Sequence, residues 1–201
     1  MEVVERMKNE DKLLLKRSWS VVNRNLNELA LKIFEMIFEQ SPDAKLLFPF
    51  MTKDGKKQDM EFHSLRFLQV IESAVQSIDN LSTIEPLLDN LGRMHGRLTE
   101  SKGFRTHYWS VFVECTLYHF RKILAQDAYY TTPVLDKTMI AWRLLLRTII
   151  RRMKTGLEQD LLNRQAHRNL GIGIVLRRSS SLCLLSVASA NSPLSESSGQ
   201  Q

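Results

Sequence analysis

The 201-residue sequence predicts an all-α protein, and three observations carry that reading. Apolar residues recur at helical spacing along most of the chain between Leu13 and Met153. Residues that start and stop helices stand between those stretches. Two histidines, His63 and His95, are set into the apolar stripes of different helical segments.

The elements follow in order. The first periodic stretch runs from about Leu13 through Trp19, Val22 and Leu26 toward Ile37 and Phe38. Ser41-Pro42 reads as an N-cap followed by proline at the first helical position, where its missing N–H costs nothing. Thr52 to Lys57 is polar and predicts a loop. His63 then begins a run with Phe67, Val70, Ile71, Ala74, Val75 and Ile78 that can share one helical face. Ser82-Thr83-Ile84-Glu85 has the form of a capping box. It precedes a second run, Ile84, Leu87, Leu88, Leu91 and His95, after which Gly96 suits a helix end. Another amphipathic segment spans about Phe104 to Leu124. Thr132-Pro133 repeats the cap-and-proline device and opens a last long helix. Its inward face reads Leu135, Met139, Trp142, Leu146, Ile149 and Met153.

Composition bounds the class. The hydrophobic share of 43% and the length fit one globular domain with some excess. There is no apolar run of about 18 residues, so no spanning helix is expected. The start, Met1-Glu2-Val3-Val4-Glu5, lacks a basic-then-apolar leader, and Glu2 stands where myristoylation needs glycine. Cys115 and Cys183 form no disulfide framework. A cytoplasmic protein is the expectation.

The net charge of +6 is concentrated in Arg143, Arg147, Arg151, Arg152 and Lys154 and in Arg177-Arg178. The first group reads most simply as a solvated helix face. An anionic membrane surface is the alternative, and no nucleic-acid motif speaks for DNA or RNA. After Gln159 the chain turns serine-rich, with Ile172-Gly173-Ile174-Val175-Leu176 too short and glycine-broken to define an element. The expected organisation is an N-terminal extension over 1–8, a helical domain over 9–159 and a disordered tail over 160–201. In that tail Arg177-Arg178-Ser179-Ser180 has the form of a basic-directed phosphorylation site, and Cys183 that of an acylation candidate.

Imidazole is a poor core residue, because both ring nitrogens need partners once water is excluded. One such histidine is usually bonded to a carbonyl. Two on consecutive helices, toward one interior, point to something that both can ligate.

The residues around them match a family. Phe48 follows Pro42 by six residues, Leu91-Gly92-Arg93-Met94-His95 ends on the second histidine, and tryptophans stand at Trp19 and Trp142. As an ordered set over about Asn9 to Leu157, these positions resemble the globins, most of all neuroglobin-like intracellular invertebrate globins. The resemblance implies a helical sandwich around a haem pocket. His95 would be the proximal iron ligand and His63 the distal histidine, either donating a hydrogen bond to dioxygen or closing the iron's sixth site. Phe48 would stack on the porphyrin, with Leu91 on the approach to His95. Phe34 and Phe67 would crowd the distal side, and Phe67 departs from the valine of many globins. Arg66 would meet a haem propionate, with Lys45 and Arg97 as further candidates.

Haem b is the implied cofactor, since no Cys-x-x-Cys-His is present for covalent attachment. Reversible binding of dioxygen or another diatomic gas is the implied function, in storage, transport or sensing rather than catalysis. Redox haem chemistry (nitric oxide dioxygenation, nitrite reduction or electron transfer) would need a separate reductase, because no flavin or nicotinamide motif is present. Signalling through the tail is a third reading.

Overall fold

The computed structural model describes residue 4 and residues 7–48 and 57–188, with side chains described as far as Asn169 on the last helix. All regular structure among the described residues is helical. The expected loop after Thr52 lies outside the described residues, apart from Lys57, which opens a helix.

Helix α1 is Asn9–Val22 and α2 is Leu26–Gln40. They are divided by a 3-10 turn at Asn23–Asn25, with Asn25 at φ −140° and ψ 63°. The periodicity from Leu13 to Phe38 hides this break, because no proline or glycine marks it. Leu13 itself is exposed. Pro42 does open a helical segment, but a 3-10 one, Pro42–Leu47, and the Ser41 side chain makes no cap bond. Helix α3 is Lys57–Gln76.

A 3-10 turn at Leu81–Ile84 leads into α4, Glu85–Lys102. The capping box does not form. Ser82 Oγ bonds the Asn80 side chain instead, and Thr83 Oγ1 donates to the Asn80 carbonyl at 2.9 Å. Gly96 does not end α4 either. The helix runs on to Lys102 and stops at Gly103, whose φ of 70° lets Phe104 N–H reach the Leu98 carbonyl at 3.2 Å. Gly96 is one poor helix former inside a chain already nucleated, a cost of about 1 kcal/mol that flanking turns absorb.

Helix α5 is Tyr108–Leu124, and α6 is Thr132–Ala188. All six residues expected on the inward face of α6 are buried, Trp142 completely. In the other stripes Leu87 departs, standing 41% exposed, and so does His63, which is exposed by surface. The core joins Trp19 of α1, Phe120 of α5 and Trp142 of α6, with ring centroids 4.9–6.3 Å apart. Burying Trp142 requires an acceptor for its indole N–H. Ser18 Oγ accepts it at 2.9 Å and donates onward to the Leu15 carbonyl.

The chain divides into two units, 1–160 and 161–201. In the second, α6 continues past Gln159 to Ala188, and residues 189–201 lie outside the described residues. Leu161, Leu162, Gln165 and Ala166 are good helix formers, so propagation from an existing helix is cheap despite the serines that follow. The side chains of Ser179 and Cys183 are not among those described.

The basic face of α6 is more engaged than a solvated stripe. Arg143 makes a two-pronged pair with Glu114 of α5. Arg152 pairs with Asp89 of α4 at 2.6 Å and with Glu85 at 3.4 Å. Arg147 and Arg151 stay exposed.

Candidate functional site

Four of the expected site residues converge as an aromatic cluster. Phe34 on α2 is buried, and its ring meets Phe48 at 6.0 Å, His63 at 5.5 Å and Phe67 at 6.2 Å, all edge to face. Phe48, at the end of the 3-10 segment, lies 4.9 Å from His63 between ring centroids. Phe67 sits one turn beyond His63 on α3 and packs its other side on Phe112 of α5 at 4.1 Å. A clasp holds the 3-10 segment to the start of α5. Tyr108 O–H donates to Asp43 at 2.8 Å, with Arg105 at 3.4 Å.

His63 is exposed by surface, yet its ring stands among aromatic carbons. That desolvation holds its pKa below the ordinary histidine value, helped by repulsion from His95 and Arg66. Arg66 is exposed and lies over the Phe62 ring at 4.5 Å. Lys45 and Arg97 are exposed as well.

His95 is held differently. Its Nδ1 lies 2.7 Å from the Leu91 carbonyl one turn back, which assigns the proton to Nδ1 and leaves Nε2 as the basic nitrogen. Burial lowers its pKa too, and the Leu91 bond only partly offsets this. Neutral imidazole, the form that ligates metal, is favoured at both positions. Phe104 and Trp109 flank the His95 ring at 5.2 and 4.7 Å.

Helix α4 is in turn pressed onto α6. A Cβ on Gly92 would stand 2.0 Å from the Met153 carbonyl oxygen, and one on Gly156 would stand 2.5 Å from the Asp89 carbonyl oxygen. Both positions need glycine for space rather than for φ. The crossing fixes the turn that carries His95.

Sequence reasoning missed several of these residues. Phe38 completes the Phe34–Phe48 cluster, Phe104 and Trp109 wall His95, and Gly92 and Gly156 set the crossing. The spacing of Gly92 from His95 was visible, but its partner in α6 was not. His107 is exposed, as is His167 within the second unit, and His119 is half-buried on α5.

The donor set bears on what the site can hold. Among the described residues no group of three or more His, Cys, Asp or Glu side chains could hold a metal ion. Two imidazoles complete an iron's coordination only where another body brings the equatorial donors, as a porphyrin does. Trp109 adds a buried indole N–H, without an acceptor among the described residues, beside His95. The residues fit a flat apolar cofactor with polar edges.

Comparison with known proteins identifies the family. The globin family model matches residues 31–152, and the chain belongs to the globin family. Fold and family together define a haem-binding globin. Within the family the chain is similar to neuroglobins. That of Chaenocephalus aceratus is 30% identical over 159 residues, covering 76% of this chain and 94% of the relative. The fold is that of a hexacoordinated heme protein from an anhydrobiotic tardigrade, with TM-score 0.65 and 23% identity over 76% of this chain and 96% of the other. The neuroglobin of the acoel Symsagittifera roscoffensis matches with TM-score 0.58 and 16% identity, over 72% and 97% of the two chains.

Proposed function

We propose that this chain is a cytoplasmic globin that holds one haem b through His95 and reversibly binds dioxygen, with His63 competing for the same iron position. The observation that supports it best is the unequal setting of two imidazoles on consecutive helices, His95 bonded through Nδ1 to the Leu91 carbonyl on α4 and His63 set among the Phe34 and Phe48 rings on α3.

A bound haem would supply an iron that can take a protein donor and an exchangeable small ligand. His95 Nε2 is the fixed donor. Its Nδ1–H, bound to the Leu91 carbonyl, sets the ring's orientation and makes Nε2 more basic. Phe34, Phe48 and Phe67 would keep water from the group on the His63 side, and Leu91 would line the approach from α4. Arg66 is the donor to a propionate, a carboxylate that suits its planar fork. Neutral His63 would be placed either to ligate the iron itself or to donate a hydrogen bond to a bound gas. If it ligates, only the fraction with His63 displaced would be competent, and apparent gas affinity would fall by that fraction.

Reconstitution tests the first half of this. Apoprotein should take up one haem per chain, and His95→Ala should lose it rapidly to a competing apoglobin. Full, tight retention with an unchanged spectrum in His95→Ala would overturn the assignment.

A further inference from the structure

A groove of about 440 Å³ lies on the outer face of α5 and α6, sharing no lining residue with the His63 and His95 clusters. Its corners are charged in a regular way. Glu114 and Arg121 stand seven residues apart on α5, and Asp136 and Arg143 seven apart on α6. Across the groove Arg143 pairs with Glu114 at 2.9 Å and Arg121 with Asp136 at 2.7 Å. The two helices run antiparallel, so the four charges alternate in sign around a rectangle. At its centre are Tyr118, 53% exposed, and Ile140, 70% exposed, above a floor of Leu117 and Met139.

An alternating rectangle is its own complement. Rotate a copy by a half-turn about an axis lying in the face, along the helices or across them. Every carboxylate then meets a guanidinium of the other copy, and the apolar centres meet each other. A partner of single charge sign would instead be repelled at half of the corners. We propose that this face is the contact of a two-fold symmetric dimer, with a second copy of this chain as its occupant. The layout is an apolar centre with Tyr at its middle and a polar rim, the anatomy of a protein interface. The rim charges set the docking orientation more than the affinity.

Sedimentation velocity on the full-length haem-loaded protein, from about 5 to about 500 µM, tests this by mass action. The expected mass rises from 23.3 kDa toward twice that value, and less so at high salt, where the rim charges are screened. Ile140→Arg puts like charges against each other near the two-fold axis and should weaken the dimer at least about tenfold. Ile140→Leu should leave it intact. Because position 140 is exposed, both variants should keep the parent melting temperature and haem spectrum, separating interface loss from misfolding. A wild-type monomer at the highest concentration would assign the groove to another occupant and overturn the proposal. A dimer indifferent to Ile140→Arg would overturn it as well, by moving self-association to another face.

Discussion

His95 is tied through its ring to the backbone of its own helix, and that helix is pressed onto α6 where Gly92 and Gly156 let the backbones meet. His63 stands among the edges of Phe34 and Phe48, on a helix that follows residues 49–56, outside the described part of the chain. Backbone-to-backbone packing resists displacement, because nothing in it can change rotamer. Aromatic edges give way by small rotations, at a cost of about 0.5–1.5 kcal/mol per pair. One imidazole is therefore built to stay and the other to move. The gas binding with an internal competitor proposed above needs that difference.

The largest expected effect falls on the His63 side. Phe34→Ala removes a buried ring with four aromatic partners and should cost about 3–5 kcal/mol in urea unfolding. Haem should nevertheless remain bound through His95. Equal loss of stability and of haem would erase the division of labour drawn above.

Gly92→Ala should cost somewhat less, about 3 kcal/mol, at the upper end for overpacking because the obstructing atom is a backbone oxygen. Here haem retention should fall sharply, since α4 must lift from α6 and carry His95 with it. A penalty under about 1 kcal/mol would show that the crossing is looser than the structure has it.

The inward face of α6 was legible in the sequence, because helical periodicity records which residues face a core, whereas His63, set by the same rule at the head of an apolar stripe, is exposed by surface. Phe34 and Phe48 were legible only through the family resemblance, since an isolated apolar residue does not say which neighbour it meets. Less legible were features that depend on distant partners. Gly92 becomes a contact residue only when Met153 arrives from 61 positions away, a separation visible in the numbering but not in any local pattern. Arg152 looked solvated until Asp89 and Glu85 were beside it. The end of α4 was misplaced for a local reason. Gly96 and Gly103 are equivalent as letters, and only Gly103 has the left-handed conformation.

Acid should act through both sides of the cleft. Burial holds His63, His95 and, on α5, His119 below the ordinary histidine value. The unfolded chain therefore takes up protons first, near pH 6.5. Stability of the apoprotein should be fully present above about pH 6.5 and decline as pH falls below it. Urea midpoints at pH 7.5 and 5.5 should differ in that direction, and His95→Leu should shrink the difference. An apoprotein equally stable at both values would mean that the rings are not desolvated.

The smallest effect is expected beyond the cleft. We place the domain boundary at Asp160, where the first unit ends. Truncation there should leave the haem spectrum intact and shift the melting temperature by no more than about 2 °C. A larger drop would mean that residues 161–201 support the domain.

The account turns on whether His63 occupies the iron and yields it. The most direct measurement is the optical spectrum of the gas-free ferrous protein, wild type beside His63→Leu, with carbon monoxide binding followed on both. A low-spin bis-histidine spectrum is expected for wild type and a high-spin one for His63→Leu. Carbon monoxide should bind His63→Leu at least about tenfold faster, because the competent fraction rises toward one. A high-spin wild-type spectrum, with carbon monoxide binding unchanged by the substitution, would show that the phenylalanines hold His63 off the iron and would contradict the account.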